Sequence, residues 1–334
     1  MILFLTTILL FILALAGIIF ILVKGPSTTA RNLFVHSVKE TSAIGFLANM
    51  YLSDAEVEAI LNEKTEIVYE ETDTSLVTIK KIEEKEEDNQ NEADAWGLVD
   101  DDGDGIIVEP IKGAGYKGYL MVVLDPSRVK LGSVPESYGK QGYTVDHMIE
   151  HYGAIAGINA GGFLDPGGMG DGSTPDSLVV VDGQIYYEEF GYRDGFVGFD
   201  QNHVMHVGLL TGDDIRARGI QTGVCFGPVL IHNGTPVDAS ALPSGVNPRT
   251  AIGQRSDGAV LLLVIDGRQA TSLGARYQDL ADIMYKYGAV NALNLDGGSS
   301  SLMYYKGEYI NSSASVLGIR DMPTAWLVMP KEGE

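Results

Sequence analysis

The sequence predicts an α+β protein built on a mixed, mostly antiparallel sheet, and three observations carry that reading. Glycine supplies 41 of 334 residues and apolar residues 45%, a balance that suits short strands and tight turns better than a helical bundle. Asp182-Gly183, Asn233-Gly234, Asp257-Gly258 and Lys306-Gly307 each separate two apolar runs, the pattern of hairpins whose turns need positive φ. Two amphipathic helix patterns, one at Val145, Met148, Ile149 and Tyr152 and one at Leu280, Ile283, Met284 and Tyr287, each run through a glycine into an apolar strand.

Read in order, the chain opens on Ile2–Val23, an uncharged apolar run long enough to cross a bilayer. Its length, and the poor small-x-small match of "GPSTTA", favour an uncleaved anchor over a signal peptide, so residues 1–25 read as a transmembrane segment. Residues 26–62 read as a helical stalk, with Ser53 as N-cap and Glu56 three residues on in a capping-box pattern. Residues 63–105 read as an acidic, solvated linker. Between 54 and 109 lie 20 acidic and 4 basic side chains, so most of the net charge of −22 sits in one segment. Asp100, Asp102, Asp104 and Gly105 match positions of a calcium loop. Ile111 stands where that loop needs a bidentate Glu, so the stretch reads as an acidic turn. Residues 106–330 then read as the catalytic domain, closed by the strand "TAWLVMP".

Two function classes are excluded early. No basic stripe occurs, which argues against nucleic acid as a partner. Cys225 is the sole cysteine, so neither an intrachain disulfide nor a CxxC zinc site can form, and it reads as a small buried strand residue. "HMIEH", His147–His151, matches an inverted zinc-protease motif. However, Met148, Ile149 and Tyr152 form the buried stripe and turn His147, Glu150 and His151 to the other face.

The segments 145–163 and 280–300 align without gaps at an offset of 135. Asn159 and Asn294 then occupy equivalent strand ends, which predicts a structural repeat delivering two halves of one site. Four stretches set polar groups at the ends of apolar strands: "INAGGF", "NPRTAIGQ", "VIDGRQ" and "NLDGGSSS". Arg249 and Arg268 offer permanently charged planar forks suited to phosphate. Asp266 and Asp296 are carboxylates where partial burial can tune acid–base behaviour, and a carboxylate pair is the usual equipment of glycosidic cleavage. The Gly-Gly-Ser-Ser corner is read as a backbone N–H cradle for phosphate or sugar oxygens.

The ordered string "GINAGGF … NPRTAIG … VIDGR … LNLDGGSSS" closely resembles the phosphodiester glycosidase family over Gly105–Pro330. Asn247 and Gly162 stand where many relatives carry His and an aromatic residue. The resemblance implies hydrolysis of a sugar-1-phosphodiester between the anomeric carbon and the phosphate oxygen, on a cell-surface or exopolysaccharide glycan. Carried over by position, it implies Asp296, Asp266 and Arg249 as catalytic residues. It implies Asn159, Gly161, Gly162, Arg268, Asn294, Gly297, Gly298 and Ser299 as substrate-binding, and Ser300 is read with them as part of the Gly-Gly-Ser-Ser corner. The sequence shows no required cofactor and leaves room for a divalent metal between the two Asp residues. The alternative is a non-catalytic module that binds sugar-phosphate cell-wall or capsular polymers. Lys24 and Arg31 follow the span and by charge alone would hold the body in the cytoplasm. A glycan substrate outweighs that signal, so the expected topology is single-pass with the catalytic domain outside.

Overall fold

A computed structural model describes residues 1–41, 44–63, 67–79, 93–166, 170–188, 195–238, 243–315 and 318–331. Its central layer is a seven-stranded sheet. Across the sheet the strands run Ile106–Gly113, Tyr116–Val123, Val260–Ile265, Arg249–Arg255, Ala289–Leu295, Val229–His232 and Thr235–Pro236. Every neighbouring pair is antiparallel. The run "VLLLVI" is continuously apolar because both faces of its strand are covered. Val260, Leu262 and Val264 enter one core; Leu261, Leu263 and Ile265 enter another.

The first core lies between this sheet and two five-stranded antiparallel sheets. One runs Glu308–Tyr309, Met303–Tyr305, Ala156–Asn159, Thr324–Val328, Val129–Ser133. The other runs Gln184–Tyr186, Val179–Val181, Ile220–Phe226, Gly195–Asp200, Met205–Gly208. Trp326 is fully buried there, edge-on to Phe199 at 5.6 Å between ring centres. On the far side of the seven-stranded sheet, Leu280, Ala281, Ile283 and Met284 of the helix Tyr277–Lys286 cover the second core. The helix Val145–Tyr152 buries Val145, Met148 and Ile149 against the sheet that holds Ala156–Asn159. His147, Glu150 and His151 are left exposed around a surface hollow. Cys225 is buried in a satellite core with Leu178 and Phe196. The mostly antiparallel sheet system expected from the sequence is present, and the named ladders are antiparallel.

The acidic segment differs from the solvated linker expected. Its centre at 80–92 lies outside the described residues, but both flanks are docked on the domain. Val77 and Leu98 are buried, Thr72 Oγ1 donates to Val207 O at 2.9 Å and Thr78 N to Ser256 O at 2.8 Å. The reason is a second set of partners that charge counting does not see. Arg255, 1% exposed, donates to Asp94 at 2.6 Å, also pairs with Asp257, and lies 3.7 Å from the Trp96 ring centre. Arg255→Met is expected to leave two carboxylates without their cation and to cost about 3–5 kcal/mol, read as a lower denaturation midpoint. Burial alone would raise the Asp257 pKa, but the Arg255 hydrogen bond and charge bring it below its ordinary 3.8. That carboxylate therefore contributes its full stability above pH 3.8 and loses it as pH falls through the lower folded value.

At the N-terminus, Ile2–Lys24 is one helix, long and apolar enough to cross a membrane. Thr28–Lys39 and Asp54–Leu61 follow, the latter with the expected Ser53–Glu56 capping box. Val35, Val38, Leu52, Val57 and Ile60 close around Ile19 and Val23.

Candidate functional site

Antiparallel pairing explains why three of the four motifs converge. The strand Arg249–Arg255 starts beside the ends of both its neighbours: Arg249 opposes Ile265, and Thr250 opposes Leu295. Arg249, Asp266 and Asp296 are therefore delivered to one edge of the sheet. The fourth motif arrives from the adjoining sheet. Asp296 N donates to Ala160 O at 3.1 Å, and Asn159 Nδ2 donates to Asp296 O at 2.6 Å. The two echoed helix–strand units thus meet at Asp296.

A cleft of about 350 Å³ opens there, a size that suits a small ligand. Of the residues proposed from sequence, Gly162, Arg249, Arg268, Asp296, Gly297, Gly298, Ser299 and Ser300 line it. Asn159, Gly161, Asn294 and Asp266 do not, and each is used in holding the wall. Asn159 Oδ1 accepts from Thr250 Oγ1 at 2.8 Å and Leu302 N at 3.2 Å. Gly161 N donates to Thr324 Oγ1 at 3.0 Å. Asn294 Nδ2 donates at 2.7 Å to the carbonyl of Gly227, a cleft residue. Asp266 is 2% exposed, and its Oδ1 accepts from Asn311 Nδ2 at 3.2 Å and Ser312 N at 3.0 Å. It fastens a neighbouring loop.

Of the four N–H groups expected to form a cradle at the Gly-Gly-Ser-Ser corner, those of Gly297, Gly298 and Ser300 are spent internally. Gly297 N donates to Asp296 Oδ1 at 3.0 Å, Gly298 N to Pro248 O at 2.9 Å, Ser300 N to Gly297 O and Ser301 N to Gly298 O. Glycine is required for another reason, close approach of backbones. A Cβ on Gly297 would lie 2.8 Å from Pro248 O, and one on Gly267 2.5 Å from Pro248 N. The two motifs press the "NPR" segment between them.

The cleft also holds Asn247 and Phe163, which the sequence motifs contain without a role assigned, and residues that sequence reading missed: Glu40, Asp165, Phe226, Gly227, Tyr277 and Arg320. Glu40 arrives from the stalk, 209 positions before Arg249. Its Oε2 accepts from Arg249 at 2.6 Å and from Asn247 Nδ2 at 2.8 Å, and its Oε1 from Gly245 N at 3.0 Å. Arg249 is 5% exposed. It also donates to Ala275 O at 3.2 Å and Gly245 O at 2.8 Å, and lies 4.3 Å from the Tyr277 ring centre. Burial works against its charge, but Tyr277 and Glu40 outweigh it and lift the pKa above the ordinary arginine value. Arg249 is thus a pin for this wall, more enclosed than a phosphate clamp would be.

Arg268 is the better placed cation. It keeps solvent contact, donates to Asn247 Oδ1 at 3.1 Å and more weakly to Glu40 O at 3.4 Å, and forms no ion pair among the described residues. Crowding of its guanidinium, then the charge of Arg249, pulls its pKa below the ordinary arginine value, against Glu40 and Asp296. Its φ of 56° is rare for a long side chain and marks strain held at a site. At the other end, Arg320 forms a bidentate pair with Asp165, both contacts 2.9 Å. It lies 4.8 Å from the Phe163 ring centre and reaches Ser299 Oγ at 3.4 Å. Burial opposes the Asp165 charge, and the Arg320 hydrogen bonds overcome it, holding that carboxyl below its usual range. The corner Asp296–Ser300 therefore runs from Arg268, beside Gly298, to Arg320, beside Ser299.

Residues 152–329 match the family model described as phosphodiester glycosidase. The chain belongs to that family. It is 32% identical over 179 residues to the SPbeta prophage-derived uncharacterized protein YomE of Bacillus subtilis, covering 51% of this chain and 27% of that one. To N-acetylglucosamine-1-phosphodiester alpha-N-acetylglucosaminidase of Mus musculus it is 23% identical over 220 residues, covering 60% of this chain and 42% of that one. It thus spans well under half the length of either relative. In fold it is similar to the catalytic domain of the zebrafish N-acetylglucosamine-1-phosphodiester alpha-N-acetylglucosaminidase, a structure described as auto-inhibited by its pro-peptide. That match has a TM-score of 0.57, 18% identity, and covers 68% of this chain and 82% of that one. A putative exported protein from Burkholderia pseudomallei matches at a TM-score of 0.50 and 18% identity, covering 64% and 74%. The chain shares its α+β fold with that zebrafish catalytic domain.

Proposed function

We propose that this chain hydrolyses a sugar-1-phosphodiester of a cell-surface or exopolysaccharide glycan, releasing the phosphate as a monoester. The observation that carries the reading is the corner Asp296–Ser300, which sets a carboxylate in a cleft with Arg268 at one end and Arg320 at the other, in a chain of this family. The anomeric C1–O bond breaks, the water oxygen ends on C1, and the electron pair of the broken bond leaves with the phosphate. Arg268 meets the charge that gathers on that phosphate. Asp296 acts at the anomeric carbon. Phosphate is a good leaving group, so no strong general acid is required. The aromatic ring of Phe226, half-buried in the cleft wall, suits a sugar ring.

The apolar helix Ile2–Lys24 is read as a retained single-pass anchor with the catalytic domain outside the cell. Its packing into the stalk supports retention: Tyr51 donates to Ala16 O at 3.3 Å and meets Phe20 edge-on at 5.3 Å. Protease shaving of intact cells tests the topology, and protection of the domain overturns it. The activity is tested with a panel of sugar-1-phosphodiesters, N-acetylglucosamine included, by following release of reducing sugar. Turnover of one or more supports the reading. Binding without turnover across the panel overturns it in favour of a sugar-phosphate binding module.

A further inference from the structure

The stalk touches both the cleft and the anchor. At the cleft, besides Glu40, Ser37 Oγ accepts from Val246 N at 3.0 Å and Thr41 Oγ1 donates to Asn247 Oδ1 at 3.3 Å. A Cβ on Gly245 would lie 2.4 Å from Ser37 Cα, so the two backbones are in direct contact. The stalk is a wall of the cleft, on the side of Arg249 and Arg268.

At the anchor, the same stalk wraps the last turns of the apolar helix. A helix rises about 1.5 Å per residue, so the 23 residues of Ile2–Lys24 span about 34 Å, against about 30 Å of bilayer hydrocarbon. Tyr51, bonded to Ala16 O, sits about 12 Å back from the end of that helix. If the helix spans the bilayer, its excess of about 4 Å leaves Ala16 O about 8 Å or more below the hydrocarbon edge, so Tyr51 and the turn Gly45–Met50 that precedes it dip into the lipid at that end. The surface of that turn fits this position: Ile44, Phe46 and Met50 are 41%, 66% and 44% exposed. The helix Thr28–Lys39 does not stand the domain off. Its Val35 and Val38 share a cluster with Ile19 and Val23, so Glu40, one residue beyond it, lies close to the level of the anchor's end. With the helix across a bilayer, this places the phosphate side of the cleft toward the lipid surface.

We propose that Ile44, Phe46 and Met50 seat in the lipid interface and hold the cleft at the membrane surface, so that the substrate is a sugar-1-phosphodiester whose other ester is a membrane lipid. The proposal rests on the hydrolase reading and narrows its substrate class. The phosphate meets Arg268 on the stalk side, the lipid runs along the stalk into the bilayer, and the sugar reaches toward Arg320.

The test uses the full chain reconstituted in phospholipid vesicles with two diesters of the same sugar, one on a long-chain lipid in the same bilayer and one on a short water-soluble alcohol. Shared residence on one surface raises the effective concentration, so the lipid diester is expected to be cleaved about 100-fold more efficiently at equal bulk concentration. Phe46→Glu is expected to lower that rate roughly tenfold, by weakening an interfacial apolar contact, and to leave the soluble diester unchanged. Equal rates on the two diesters, or a Phe46→Glu enzyme that keeps its lipid preference, overturn the proposal while leaving the hydrolase reading intact. Failure to cleave either diester overturns both. A readout independent of turnover is Phe46→Trp: its added emission is expected to be quenched by brominated phospholipids, and quenching no greater than wild type overturns the docking.

Discussion

Asp296→Asn is expected to abolish measurable hydrolysis of a sugar-1-phosphodiester, by about 10²–10⁴-fold if the carboxylate serves as an acid–base group, while ligand binding survives. The asparagine is nearly isosteric and still accepts at Oδ1 from Gly297 N, so the corner keeps its shape. The carbonyl of Asp296, which Asn159 holds, and its N–H, which Ala160 O accepts, belong to the backbone and are untouched. A loss of turnover with unchanged affinity therefore reports chemistry. Asp266→Asn makes the contrast. Asp266 lies outside the cleft and bonds the Asn311–Ser312 turn, so its substitution is expected to lower stability, with kcat per folded molecule held within a few-fold. Equal losses of kcat in the two variants, measured on protein shown to be folded, would return Asp266 to the reaction.

That contrast shows what a sequence reading can and cannot resolve. Strand and turn positions were legible because hairpin glycines and alternating apolar residues act locally, and the echo at an offset of 135 found both units that meet at Asp296. The edge to which Arg249, Asp266 and Asp296 are delivered follows from strand order. Which of two Asp residues at neighbouring strand ends faces the cleft depends on the loop after each strand, and here the Asn311–Ser312 turn captures Asp266. Arg320 left only a faint trace, a lone arginine in the loop before the closing strand. Glu40 left none. Its role depends on the stalk folding back across 209 positions, and the composition of 26–62 reads as an independent helix. The same limit applies to Asp94 and Trp96, whose partner Arg255 lies 161 positions from Asp94.

Arg249→Met is expected to reduce stability by about 3 kcal/mol, at the lower end for a broken buried ion pair because Glu40 is a quarter exposed. For a domain of this size that corresponds to a thermal midpoint lower by roughly 6–12 °C. The methionine fills much of the volume and keeps contact with Tyr277, so the loss reports hydrogen bonds and charge. Gly245 O loses its donor, Ala275 O keeps only Asn247 N, and the Glu40 carboxylate keeps only Asn247 Nδ2 and Gly245 N. Glu40→Gln removes the charge and retains an oxygen for Asn247, and on its own is expected to cost less. If the pair couples the stalk to the cleft wall, the double variant will be more stable than the sum of the two losses by roughly 1–3 kcal/mol, since a neutral amide at position 40 does not need a cation. A double variant whose losses simply add would show that the stalk is held without Arg249, through Ser37, Thr41 and the bonds of Glu40 to Gly245 and Asn247. Activity separates the same alternatives. Loosening the stalk moves Asn247 and, through its 3.1 Å bond, Arg268, so KM for the diester rises in Arg249→Met even where the folded fraction is restored by cooling.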